Sequence, residues 1–355
     1  MPPESPAARP LRLPHAAPQL PPSRGPLTEA LFAALIGGGS APQLPGPVSV
    51  DVLGDEDLQL ALYCAYELQY RGFEGVDERW EWDLSLLSLR SAIEAVMEEQ
   101  LRAALPPFPQ GAPVGRVVDE LWSMANAGGP SLSGWLVEHG THRHAAELAV
   151  HRSAYQLKEA DPHTWAVPRL AGEAKAALVA IQFDEYGGGE AQAMHASLFA
   201  DTMTSLGLDS TYGAYLDRIP GVALATTNLI SLFGLHRRLR GALVGHLALF
   251  EMTSVGPMGR YARWMRRLGV PASGRRFYEV HVEADELHQH VAADGLVGGL
   301  LRSEPGLGAD VVFGARALSL AEARFAAMAR EAWERGGSSL RPGLPDEPLS
   351  ARSAA

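Results

Sequence analysis

Cysteine is almost missing from this sequence: Cys64 is the only one in 355 residues. A lone thiol excludes disulfides within the chain, zinc sites built on cysteine and cysteine-held iron–sulfur clusters. Any metal bound here needs histidine and carboxylate ligands, and such a composition suits a reducing cytosol, so a cytoplasmic protein is expected. Positive charge is short as well. The chain carries 30 Lys and Arg against 41 Asp and Glu, a net charge of −11, which argues against nucleic acid or an anionic membrane as the main partner. No apolar run is long enough to span a bilayer. The nearest, Val222 to Leu235, is interrupted by Thr226, Thr227 and Asn228 and closed by His236, Arg237 and Arg238. The first residues lack the basic-then-apolar order of a signal peptide. Period-two alternation is also missing, which leaves an all-α fold class.

What is present is helical pattern, unevenly distributed. Residues 1–47 hold 12 of the 26 prolines and a Gly37-Gly38-Gly39 break, a composition expected to stay extended or unfolded. The exception is Leu27 to Ile36, short enough to be a docking helix or nothing. Asp55 to Tyr70 has apolar residues at helical spacing and acids in its first turn, where the helix dipole favours them. Asp83 to Leu105 follows and is stopped by Pro106-Pro107. Together these predict a helical N-terminal subdomain over 48–150. A second region, 151–336, reads as almost continuous helix, with elements over 169–186, 190–206, 222 to about 253, 260–268, 274–294 and 318–336. The tail over 337–355 is expected to be disordered.

The chemistry is concentrated near residue 280. In a helix over FYEVHVEADELHQH, His281, Asp285 and His288 fall within an arc of about 60°, while Glu283 and His290 point the other way. Two imidazoles and a carboxylate on one face suit a redox-active metal such as iron. Glu251 lies in an apolar run near the C-terminal end of its helix. A lone carboxylate there is desolvated and faces the negative end of the dipole, so it needs a cation: a metal, or a partner such as Arg240 or Arg260. Glu185 and His195 flank Gly187-Gly188-Gly189. In a straight helix they stand about 15 Å apart, but the glycines allow a bend that joins them. Asp184 and Glu190 are weaker candidates that face solvent. The sum is Glu185, His195, Glu251, His281, Asp285 and His288, a set suited to two Fe(II) ions sharing a bridging carboxylate, for which Glu251 is the candidate.

Two other polar stretches compete. His139, His142, His144 and His151, with Glu138 and Glu147, are numerous but poorly spaced, and a solvated helix start explains them better. HRSAYQLKEADPHTW (151–165) could line a pocket or form a polar connector. Tyr186, Arg152 and Tyr155 are candidates to orient substrate or carry protons, with Tyr186 the one catalytic candidate.

The H-x3-D-x2-H pattern on a late helix, preceded by Glu251 and an earlier Glu…His pair, resembles the haem-oxygenase-like diiron oxidases and oxygenases. Within them, DEYGGG…MHASLF and LFGLHRRLRGALVGHLALFEMTS resemble the bacterial iron-containing redox enzymes, over roughly residues 150–335. The resemblance implies a haem-oxygenase-like helical bundle with a helical N-terminal extension, no haem, and a diiron centre, often labile. It also implies O2 activation to oxidise a small organic substrate by N-oxygenation, C–C bond cleavage or decarboxylation. The electron donor is unknown, and a homodimer through the N-terminal helices is a further expectation. The alternatives are a metal-free protein of the same fold, thiaminase-like or pyrroloquinoline-quinone-synthase-like, and a non-catalytic iron- or ligand-binding helical protein. The thiaminase-like case needs a cysteine in the pocket, and Cys64 lies in the N-terminal region.

Overall fold

A computed structural model describes residues 17–46, 49–129 and 131–342. Expectations for residues 1–16 and for the tail from 343 onward lie outside the described residues. Among the described residues every regular element is helical, so the all-α bundle expected from the pattern is the fold. In chain order the helices are α1 (Pro26–Gly37), α2 (Glu56–Glu67), α3 (Leu84–Ala104), α4 (Val114–Ala125), α5 (Leu132–His139), α6 (His142–Gln156) and α7 (Asp161–Thr164). They continue with α8 (Gly172–Glu185), α9 (His195–Ser205), α10 (Gly221–Leu235), α11 (Arg240–Arg267), α12 (Ala272–His290), α13 (Gly298–Ser303) and α14 (Gly308–Glu334). A π-helical segment, Val291–Val297, joins α12 to α13.

Local chemistry sets most of the helix starts. Asp55 accepts from the Leu58 amide to open α2, and Asp83 accepts from Ser85 and Leu86 to open α3, each satisfying amides that the first turn leaves free. Thr141 caps α6 in the same way, which makes the histidine-rich stretch around His142 a helix start. The long apolar helix expected from Val222 to Thr253 is instead two. His236 takes an extended backbone, and Arg237–Leu239 forms a 3-10 turn between α10 and α11. The physical reason is a polar insert with its own partners: His236 meets Glu94 at 2.8 Å and Arg238 meets Glu98 at 2.6 Å. Arg169 takes over the freed carbonyls of Gly234 and Leu235. Beyond Thr253, α11 runs on through Pro257 to Arg267 and absorbs the short helix expected over 260–268.

Helix α11 is the centre of the bundle, packed between α12 and α14. Its contact with α14 is backbone to backbone: a Cβ on Gly245 would overlap the Val311 carbonyl, and one on Gly314 the Ala242 carbonyl. Helix α2 packs on α10, and one hydrophobic core runs from α1 to α14. Residues 17–46 are not an unfolded segment. Helix α1 buries Leu31 and Leu35, and Asp57 on α2 accepts from the Leu27 and Thr28 amides at 2.8 and 2.9 Å. Residues 339–341 are also packed, with Ser339 bonded to Glu147 and His151 and Arg341 to Glu56.

Two histidines in this core are held neutral. Burial pushes His151 and His246 down to about 3, and neither ring nitrogen of His246 has a hydrogen-bond partner. A histidine with a depressed folded pKa leaves the unfolded chain binding the extra proton, so stability present above pH 6.5 is lost as pH falls toward 3. His246 stacks on Phe250, so His246→Phe keeps an aromatic ring and removes the titration. The stability gap between variant and wild type is expected to widen by about 2 kcal/mol between pH 6.5 and pH 5, read from urea unfolding of the metal-free protein. A gap that does not change with pH contradicts this assignment.

Candidate metal centre

Seven ionisable side chains converge where α8, α9, α11 and α12 meet the turn after α6. Glu185 is the last residue of α8 and His195 the first of α9. Between them Gly187, Gly188 and Gly189 all have positive φ, a conformation that a Cβ strongly disfavours. At Gly187 a Cβ would also lie 2.5 Å from the Ala193 carbonyl carbon. The turn occupies residues that the sequence pattern had given to a helix from 190, and it brings Glu185 Oε2 to 2.8 Å from His195 Nδ1. Glu251 comes from the middle of α11, and His281, Asp285 and His288 come from one face of α12. All six residues predicted as metal ligands are buried.

The seventh is Glu159, in the turn after α6, 4% exposed. Sequence reading missed it because it lies outside any helical repeat; the only hint was the density of polar and aromatic groups in residues 151–165. Two sets of potential ligands result. Glu159, Glu185, His195 and His281 offer atoms that all lie within 4.8 Å of one another, and so do Glu185, Glu251 and His288. Glu185 belongs to both sets, so it, rather than Glu251, is the carboxylate placed between two positions. Asp285 Oδ1 stands 3.5 Å from His288 Nδ1, beside the second set.

Partners outside the cluster fix which atoms face inward. His281 Nδ1 donates to the Phe277 carbonyl at 2.7 Å, which leaves Nε2 facing Glu159 Oε1 at 3.7 Å. His288 Nε2 donates to Asp184 at 2.9 Å, which leaves Nδ1 facing Glu251 at 3.4 Å. Asp184 is half exposed, as a solvent-facing residue would be, but its carboxylate orients a cluster histidine. The Ser254 hydroxyl donates to Asp285. Arg240 and Arg260, considered above as partners for Glu251, are bonded to Glu304 and Ser133 instead.

The donor set fits a metal. None of Glu159 Oε2, Glu185 Oε2, His195 Nδ1, Asp285 Oδ1 and His288 Nδ1 makes a well-directed hydrogen bond; Glu185 Oε2 and His195 Nδ1, and Asp285 Oδ1 and His288 Nδ1, meet only as ion pairs at 2.8 and 3.5 Å. Four carboxylates crowded in this way are costly in a folded core unless cations, bound protons or metal ions, answer them. Metal-free, the cluster holds extra protons. Burial raises Glu251 to about 8, with the nearby Asp285 and Glu185 adding to the effect against the pull of His288. Burial opposes the imidazolium of His281, but Glu159 outweighs it and lifts that ring to about 10. His288 rises to about 11 against burial, through Asp285 and Glu251.

A small pocket opens on the cluster, lined by Tyr155, Glu159, His163, Gln182, Leu247, Phe250 and Ser254 among others, with no Lys or Arg in its wall. Tyr186 is not part of that wall. Its hydroxyl donates to Asp161 at 2.9 Å, and Arg152 is held by both oxygens of Glu322 at 2.7 and 2.6 Å. Of the three residues considered for substrate handling, Tyr155 is the one at the pocket.

Residues 146–323, half of the chain, match the family of iron-containing redox enzymes, and every residue of the cluster falls in that span. A nitrosourea synthase from Streptomyces achromogenes subsp. streptozoticus is 25% identical over 147 residues, 41% of this chain and 31% of that protein. The chain therefore aligns with less than a third of that enzyme's length.

Metal binding needs the carboxylates ionised and the imidazoles neutral. Loading Fe(II) at pH 7 is expected to release protons, and affinity is expected to rise as pH increases from 7 toward 10. Anaerobic calorimetry in buffers of different ionisation enthalpy reads both, and binding without proton release contradicts the cluster's charge state. Asp184→Asn, which weakens the hold on His288, is expected to cost 10-fold or more in Fe(II) affinity.

Proposed function

This chain belongs to the iron-containing redox enzyme family, and from that premise we propose that it is a non-haem diiron enzyme that uses O2 to oxidise a small organic substrate. The observation that carries the reading is the sharing of Glu185 between two adjacent ligand sets. One ion is assigned to Glu159, Glu185, His195 and His281, and the other to Glu185, Glu251 and His288, with Asp285 at the second position. Four carboxylates balance the four charges of two ferrous ions, which makes the loaded site neutral and tolerable in an apolar core. Held by these residues, ferrous iron would supply the reducing electrons that O2 activation requires.

The chain's own residues do the remaining work. Phe277 and Asp184 hold the two histidines in the tautomers that leave a lone pair facing inward, and Ser254 holds Asp285. Leu247 and Phe250 keep water from the pocket, which protects reactive species from side reactions. Tyr155, His163, Gln182 and Ser254 are neutral polar groups on the wall. With no Lys or Arg there, an anionic substrate meets no fixed side-chain cation on the wall. Oxidation by N-oxygenation, C–C cleavage or decarboxylation fits this setting, and the relative named a nitrosourea synthase adds weight to chemistry at nitrogen. A cytoplasmic location, a separate electron donor and a homodimer belong to the same proposal. The metal-free alternatives leave four buried carboxylates answered only by protons and histidines, and Cys64 is buried on α2, away from the pocket.

The test is rapid mixing of the Fe(II)-loaded protein with O2 while absorbance and O2 uptake are followed. Fast O2 consumption with a transient visible band is expected, falling at least 100-fold in His288→Ala, which removes a ligand. Iron that binds but consumes no O2 would assign the chain to iron carriage instead.

A further inference from the structure

The densest set of buried charged and aromatic groups outside the cluster lies one residue away from it. Lys158 is 2% exposed, and its ammonium sits 2.7 Å from Glu67 Oε2. The rings of Tyr63, Tyr70 and Tyr212 surround that ammonium at 4.9, 4.3 and 5.8 Å. Glu67 Oε2 also accepts from the Tyr212 hydroxyl at 2.6 Å. Glu67 and Tyr63 belong to α2, outside residues 146–323 that match the family. Removing two charges from water is expensive, and an apolar pair of similar volume often serves stability as well or better. What an ion pair inside an aromatic cage adds is a fixed direction, because its geometry is set from several sides at once.

Two residues further on, Ala160 has φ 74, the one positive value at a non-glycine among the described residues. A Cβ makes this left-handed conformation unfavourable, so it persists only where its surroundings impose it. They do so here: the Ala160 carbonyl accepts from Gln182 Nε2 at 3.0 Å and from the His163 amide at 3.1 Å. Between the caged Lys158 and the strained Ala160 lies Glu159. Its carboxylate faces His281 Nε2 at 3.7 Å, and its Oε2 has no hydrogen-bond partner. A side chain so weakly held at its tip takes its direction from its backbone.

We infer that the Glu67–Lys158 ion pair and the left-handed Ala160 form a clamp that aims Glu159 at the metal-binding cluster. Lys158, Glu67 and Ala160 are positioning residues, and α2 is a working part of the site although it lies outside the matched span. This inference rests on the proposal that the cluster binds iron.

The test uses the full chain and counts Fe(II) bound per chain by anaerobic titration, alongside the melting temperature of the metal-free protein. Ala160→Gly relieves the strain and frees the turn. It is expected to raise the melting temperature while weakening the Glu159-containing position at least tenfold, opposite signs that a purely structural role does not produce. The double variant Glu67→Gln/Lys158→Met removes both charges together, so neither is left buried alone. It is expected to keep Fe(II) at the position of Glu251 and His288 and to lose it at the other. If the double variant does not fold, Ala160→Gly alone decides. Wild-type affinity at both positions in Ala160→Gly overturns the clamp while leaving the diiron reading intact, as does a lowered melting temperature. A wild-type protein that binds no Fe(II) overturns both.

Discussion

Everything near the centre of this protein is arranged around the burial of four carboxylates within reach of one another. Glu159, Glu185, Glu251 and Asp285 are all less than 10% exposed, and like charges this close in a poorly solvated core repel strongly. Three histidines from α9 and α12 supply partial compensation, which is why two of their rings hold protons so firmly in the metal-free protein. That compensation is incomplete, because four buried carboxylates face three imidazoles. In the proposed diiron reading, divalent cations would complete it.

The bundle supplies the rigidity that such an arrangement needs. Glu251 sits mid-helix on α11, whose position is fixed by backbone-to-backbone contact with α14 through Gly245 and Gly314. His281, Asp285 and His288 share a single helix face, so their relative placement follows from the helical repeat alone. Glu185 and His195 are joined by a glycine turn in which Gly187 lies too close to Ala193 for a Cβ. Only Glu159 comes from an irregular segment, and there a caged ion pair and a strained alanine do what a helix does elsewhere. Each ligand is thus carried by an element that has little freedom to move it.

The legible part of this architecture was the part written in periodicity. The i, i+4, i+7 spacing on α12 placed His281, Asp285 and His288 on one face, and the improbable carboxylate in the apolar stretch around Glu251 marked a second contributor to the cluster. The three glycines signalled a bend between Glu185 and His195 without showing its shape. Where the reading failed, tertiary contacts had overridden a local pattern. The apolar stretch from 222 to 253 looked like one helix because nothing local shows that Glu94, Glu98 and Arg169 wait to stabilise a break at His236. The proline-rich stretch after residue 17 looked unfolded because the Asp57 carboxylate that caps α1 is 30 residues away. Glu159 stayed hidden because a ligand in an irregular turn has no repeat to betray it.

In the proposed centre, Glu185 would stand between two iron ions. Mössbauer spectroscopy of protein loaded anaerobically with 57Fe(II) and then oxidised in air tests it most directly. The account predicts two irons per chain that couple antiferromagnetically into a diamagnetic ground state, with the coupling lost in Glu185→Ala. A single, magnetically isolated ferric ion per chain in the wild-type protein would contradict it.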